Sequence, residues 1–202
     1  MSEDAQRPAG LIGPNAILQL LPLLDRIGGP ERRAQMLAAA GIFDVPDGSC
    51  MIPEGDAARL HQQLRKEEPD LAPCLSSAAG YETANYILSH RIPRPAQWVL
   101  HTLPPAPSAR LLSRAIEKHA WTFVGSGRLR VPNAWTFEIK DNPLIRGESS
   151  ETCLCHWHAA VFARLYQALV SPRCTCEECQ CCAQGGGGPC RFEVRCAVSG
   201  VG

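Results

Sequence analysis

His156-Trp-His-Ala-Ala-Val-Phe-Ala-Arg-Leu-Tyr-Gln-Ala-Leu-Val170 is followed by Ser171-Pro172 and then by Arg173-Cys-Thr-Cys-Glu-Glu-Cys179. The first run repeats Trp157, Val161, Leu165 and Leu169 on one face at helical spacing, and Pro172 closes it. The second run reads as a strand. It is answered, after a glycine-rich turn, by Cys190-Arg-Phe-Glu-Val-Arg-Cys196, where Cys190, Phe192, Val194 and Cys196 share one face and Arg191, Glu193 and Arg195 the other. A long amphipathic helix feeding two such strands predicts an antiparallel sheet with one long helix packed on it.

Upstream, Trp135-Thr-Phe-Glu-Ile139 alternates apolar and polar and ends at Asp141-Asn142-Pro143. Trp121–Val124 and Arg128–Val131 flank Gly125-Ser126-Gly127, which predicts a hairpin. Before Trp121 the patterns are helical: Pro30–Ala40, Asp56–Glu68, Ser77–His90, a short Pro95–Leu103, and Ser108–His119. The chain is therefore expected to be α+β, a helical N-terminal half followed by the sheet and its helix. Residues 1–10 read as a disordered lead and 11–198 as a single ligand-binding domain.

Composition narrows function. The 202 residues carry 20 Lys and Arg against 20 Asp and Glu, so the net charge is zero, and no basic run exceeds two residues. A dedicated nucleic-acid surface is not expected. The apolar stretch Leu18–Leu24 is interrupted by Gln19 and Pro22 and is too short to span a membrane. The polar, acidic start at Ser2-Glu3-Asp4 lacks the form of a signal peptide, which predicts a cytoplasmic protein with reduced thiols and makes disulfides the weaker reading.

Nine of the eleven cysteines nevertheless fall between Cys153 and Cys196. Cys179-x2-Cys182 is a tight pair for one tetrahedral ion, and the Gly185–Gly188 turn can return Cys190 to it. The start of the long helix offers a fourth ligand, either His156 or Cys155. A helix N-terminus favours the thiolate, and imidazole suits zinc equally well. The expected site is a structural zinc. Cys174, Cys176 and Cys196 read as strand packing, and Cys50 and Cys74 as lone thiols.

A second candidate site centres on His119. A histidine beside Trp121 and Phe123 can ligate the metal of a planar macrocycle, with the aromatics against its face; the alternative is a satisfied core histidine. Arg91, at a helix end, can complement the helix dipole or hold a ligand carboxylate. Gly125-Ser126-Gly127 lacks the third glycine and the following helix of a dinucleotide fingerprint, and Gly185–Gly188 lacks the Lys-Ser/Thr of a phosphate loop.

Several segments together resemble one family. Ile12-Gly-Pro-Asn-Ala-Ile-Leu18, Tyr81-Glu-Thr-Ala-Asn-Tyr-Ile-Leu88 with His90-Arg-Ile-Pro93, and Ala115-Ile-Glu-Lys-His-Ala-Trp-Thr-Phe-Val-Gly-Ser-Gly127 are similar to the bacteriochlorophyll-synthesis J proteins. His156-Trp-His-Ala-Ala-Val-Phe-Ala-Arg-Leu165, then Cys182-Ala-Gln-Gly and Cys190-Arg-Phe-Glu193, resemble their vinyl-reductase-type domain. The family is named for reducing the 8-vinyl group of divinyl protochlorophyllide, and similar domains serve regulators as ligand sensors with an α+β fold. In those sensors a zinc site is built from Cys, Glu, Cys and Cys. The resemblance places the last two at Cys182 and Cys190, the Glu position on Cys179 and the first Cys on His156, beside Cys155. It implies no catalytic residue. The expectation is an accessory protein that binds a magnesium tetrapyrrole, a porphyrin or chlorophyllide intermediate, and presents it to other pigment-synthesis enzymes. The alternatives are the 8-vinyl reductase itself and a small-molecule sensor.

Overall fold

A computed structural model of the chain describes residues 10–196. Most of the expected lead, residues 1–9, and the last two residues of the expected domain, 197 and 198, lie outside that range. Strand β1 (Leu11–Ile12) pairs antiparallel with β2 (Ile52–Pro53). Between them lie α1 (Asn15–Leu18) and α2 (Leu21–Ala39), and β2 leads into α3 (Glu54–Glu67), α4 (Ala72–His90), α5 (Arg94–Thr102), α6 (Pro105–Lys118) and the short α7 (Trp121–Val124). Strands β3 (Arg128–Asn133) and β4 (Thr136–Lys140) follow, then α8 (His156–Leu169), β5 (Cys174–Gln180) and β6 (Cys190–Cys196). The last four strands form one antiparallel sheet in the order β3-β4-β6-β5. The mixed α+β class, helices first and sheet last, is as the sequence predicts.

Two differences have local causes. α2 begins well before Pro30 but is broken at Gly28 and Gly29, where Gly29 takes φ +73°, so the amphipathic piece does start at Pro30. Trp121–Val124 is helical and not a hairpin strand. The Phe123 and Val124 amides donate to the Ala120 carbonyl at 3.0 and 2.9 Å. Gly125 then reverses the chain at φ +55°. Gly125-Ser126-Gly127 has a structural task here: the buried Glu54 carboxylate accepts from the Ser126 amide at 2.7 Å and the Ser126 hydroxyl at 2.6 Å. Arg146 completes the lock at 3.2 Å.

The core lies between α8 and the sheet on one side and between α8 and α4 on the other. Phe137 of β4 stacks on Phe162 of α8 with centroids 4.4 Å apart, and Phe192 of β6 meets Phe162 edge-on at 5.3 Å. All three are fully buried, each stabilising the fold by about 2–3 kcal/mol. Ser108 Oγ donates to the Leu169 carbonyl at 2.9 Å, fastening α6 to the end of α8.

The sheet corrects one reading of the cysteines. Cys174 and Cys196, expected as reduced packing residues, face each other in the β5–β6 register and form a disulfide. The sequence shows each thiol on an inward face but not which residues a register will oppose.

Candidate metal cluster and apolar cavity

Strand alternation decides which side chains of β5 turn inward. Cys174, Cys176 and Glu178 point towards α8, while Thr175, Glu177 and Cys179 point to solvent. A register shift between Glu178 and Gln180 then ends the regular ladder. The chain enters a 3-10 turn at Cys182–Gln184 with Cys181 buried at its start. Glu178 and Cys181 thereby meet Cys190 at the head of β6 and Cys155 at the N-cap of α8. Ligand atoms of Cys155, Glu178, Cys181 and Cys190 all lie within 4.8 Å of one another.

Two of the expected ligands, Cys155 and Cys190, are in this cluster, with their sulfurs 3.6 Å apart. Cys179 is not: it lies on the outer face of β5, exposed, its thiol directed to the Arg191 carbonyl at 3.4 Å. Cys182 touches the cluster from its rim, with its sulfur 3.2 Å from that of Cys190. His156, the first residue of α8, is half-buried beside the cluster and outside the set of four. Glu178 and Cys181 thus stand one residue before the expected Cys179 and Cys182. The resulting order Cys, Glu, Cys, Cys is the one implied by the resemblance.

The cluster is rich in protons. Hydrogen bonds from Cys155 and Cys190 pull the Cys181 thiol well below its usual range. Burial pushes Cys155 well above it. For Cys190 the bond with Cys155 favours the thiolate, but donation to Cys181 and burial outweigh it and leave the group raised. Burial, reinforced by the Cys181 charge, lifts the Glu178 carboxyl to about 8. One Glu178 oxygen accepts from the Cys155 amide at 2.7 Å, and the other is buried without a partner. An orphaned carboxylate oxygen among three thiols is a donor set suited to a soft or borderline divalent cation, whose binding displaces these protons.

On the other side of α8 lies a cavity of about 330 Å³. Its walls are apolar: Trp157, Val161, Phe162 and Leu165 from α8, with Leu112 and Ile116 from α6. All four residues expected around a macrocycle line it. Phe123 is buried in the wall and meets Phe162 edge-on at 5.8 Å. His119, Trp121 and Arg91 are exposed at the rim, and the Arg91 guanidinium lies 6.0 Å from the centre of the Tyr86 ring. His119 is therefore not a core histidine. The enclosed imidazoles are His61 and His158, bonded to the carbonyls of Ala16 and Phe123 at 3.0 Å each. No helix among the described residues is long and apolar enough to cross a membrane.

Comparison with known proteins agrees with both halves of this architecture. The family model of the vinyl-4-reductase (V-4-R) domain matches residues 135–196, which contain β4, α8, β5, β6 and the four residues of the thiol and carboxylate cluster. Among solved structures, an H-NOX protein variant from K. algicida in its Fe(II) unliganded state covers 93% of this chain and 98% of its own, at a TM-score of 0.61 and 11% identity. An H-NOX structure described for heme distortion gives a TM-score of 0.55 at 9% identity, covering 93% and 96%. These show the fold. The bacteriochlorophyll synthase 23 kDa chain of Cereibacter sphaeroides is 49% identical over 91% of this chain and 89% of its own. That of Rhodobacter capsulatus is 48% identical over 90% and 85%. Identity of that level over nearly the full length of both sequences shows that the chain belongs to the bacteriochlorophyll synthase 23 kDa chain family.

Proposed function

We propose that this chain is a binding protein of bacteriochlorophyll synthesis that holds a magnesium tetrapyrrole intermediate and passes it to other pigment-synthesis enzymes. The observation that carries the reading is the cavity behind α8: apolar walls with one histidine, one arginine and one tryptophan at the rim. His119 offers an axial nitrogen for the magnesium, Arg91 a partner for a ring carboxylate, and Trp121 and Phe123 flat apolar surface. The volume, about 330 Å³, lies at the low end for small-molecule sites, so a macrocycle enters it in part and keeps an edge accessible to the next enzyme. The H-NOX neighbour described for its heme supports the idea that this fold accommodates a flat macrocycle.

The cluster of Cys155, Glu178, Cys181 and Cys190 takes zinc in this reading. Four protein ligands close the coordination shell, so the ion acts as a clasp between the start of α8 and the β5–β6 hairpin.

The test is a titration of the purified chain with divinyl protochlorophyllide, with and without NADPH, followed by absorbance. A saturable spectral shift without turnover supports the carrier. Stoichiometric conversion to the monovinyl product replaces it with the 8-vinyl reductase. No spectral change under either condition removes both.

A further inference from the structure

The outward faces of α5 and α6 carry charge and apolar surface that the fold does not use. On α5 only Leu100 is buried, and Arg94, Trp98 and Val99 are exposed, Trp98 to 68%. α6 packs beside it and buries Ser108, Ala109, Leu112, Ser113 and Ile116, leaving Arg110, Leu111, Arg114 and Lys118 on the opposite side. From His90 to Lys118 the only acid is Glu117, in a chain whose net charge is zero. Among the described residues, Arg94, Arg110, Arg114 and Lys118 take part in no ion pair, whereas Arg32, Arg65, Arg146 and Arg191 elsewhere are all paired. Exposure alone does not single out this face. Phe43 is more exposed than Trp98 but stands beside Asp44 and near Asp47.

We infer that the α5–α6 face docks the protein on the surface of an anionic phospholipid bilayer. Cations alone would serve an acidic protein equally well. The exposed tryptophan and aliphatic side chains set among them favour lipid, because an indole with its apolar neighbours partitions into the headgroup layer while the cations meet the phosphates. The protein lies on the bilayer and does not span it. α6 ends at Lys118, and the rim residues His119 and Trp121 follow at once, so docking brings the cavity mouth close to the lipid surface. The inference rests on the exposed face and is independent of what the cavity holds.

Flotation of the full chain with vesicles tests it without any pigment. The chain is expected to float with phosphatidylcholine vesicles containing phosphatidylglycerol, to stay behind with phosphatidylcholine alone, and to bind less as salt rises. Each cation contributes about fivefold, so the triple variant Arg94→Glu, Arg110→Glu, Arg114→Glu loses more than about a hundredfold. Trp98→Ala loses severalfold. All four side chains are exposed, so both variants are expected to keep the wild-type circular dichroism and melting temperature. Failure to float with anionic vesicles at low salt overturns the inference, as does a triple variant that floats like wild type. Capture by soluble polyglutamate in place of the anionic vesicles overturns it in favour of an acidic protein partner.

Discussion

Gly80 on α4 lies directly against the backbone carbonyl of Trp157 on α8, so close that a Cβ added to Gly80 would sit less than 3.0 Å from that oxygen. The two longest helix faces in the core meet at this point, and there is no flexible side chain to give way. Gly80→Ala is expected to cost about 3 kcal/mol by forcing the helices apart. Gly186→Ala, with open space and no unusual φ, is expected to change stability by less than about 0.5 kcal/mol. Urea denaturation of both variants checks the contrast.

Elemental analysis of the purified chain should find about one zinc per molecule if the cluster is a single tetrahedral site. Cys155→Ser and Cys181→Ser are expected to abolish that content and lower the melting temperature. Cys179→Ser is expected to retain it, because that thiol faces solvent on the far side of β5. Zinc loss in Cys179→Ser with retention in Cys181→Ser would place the site one residue further along.

Stability should fall with acid through two buried histidines. Burial, with the nearby Arg65 charge, lowers His61 to about 3, and burial lowers His158 to about 4. Below about pH 6.5 the unfolded chain takes up protons on these imidazoles that the folded chain refuses, so their contribution is full above that pH and declines as pH drops towards the folded-state values. The slope is at most about 1.4 kcal/mol per pH unit for each histidine. Thermal melts of His61→Gln from neutral to mildly acidic pH, beside wild type, are expected to show a flatter decline.

Blocking the cavity should separate binding from folding. Ala115 lines the cavity yet is exposed at its rim, so Ala115→Trp is expected to narrow the entrance with little effect on the melting temperature and to weaken tetrapyrrole binding at least about tenfold. His119→Ala is expected to weaken it by about tenfold through loss of one ligand bond. An absorbance titration reads both, and unchanged affinity in both would move the ligand away from this cavity.

The helices and three of the four long strands are legible in the sequence because their patterns are long and their stops are explicit. Pro172 ends α8 and Gly41 follows α2, and the alternation in β6 is uninterrupted. Trp121–Val124 misleads because four apolar and β-branched residues before a Gly-Ser-Gly turn suit a strand, while the Ala120 carbonyl already commits them to a helical turn. The metal cluster is half legible. Counting by two from the buried Cys174 reaches Glu178 on the inner face, so that residue is within reach of the sequence; Cys181 is not, because the irregularity after Glu178 resets the alternation. A Cys-x2-Cys spacing draws the eye to Cys179 and Cys182, but spacing does not say which side of a strand a thiol takes.

α8 begins at the thiol cluster and, within its next three turns, supplies one wall of the cavity. Two occupants that share one rigid rod are bound by reciprocity. If filling the cluster changes the affinity of the cavity for its ligand by some factor, the ligand must change the affinity of the cluster for its ion by the same factor. Metal supply and pigment load are then two handles on a single equilibrium, and either can be read by titrating the other.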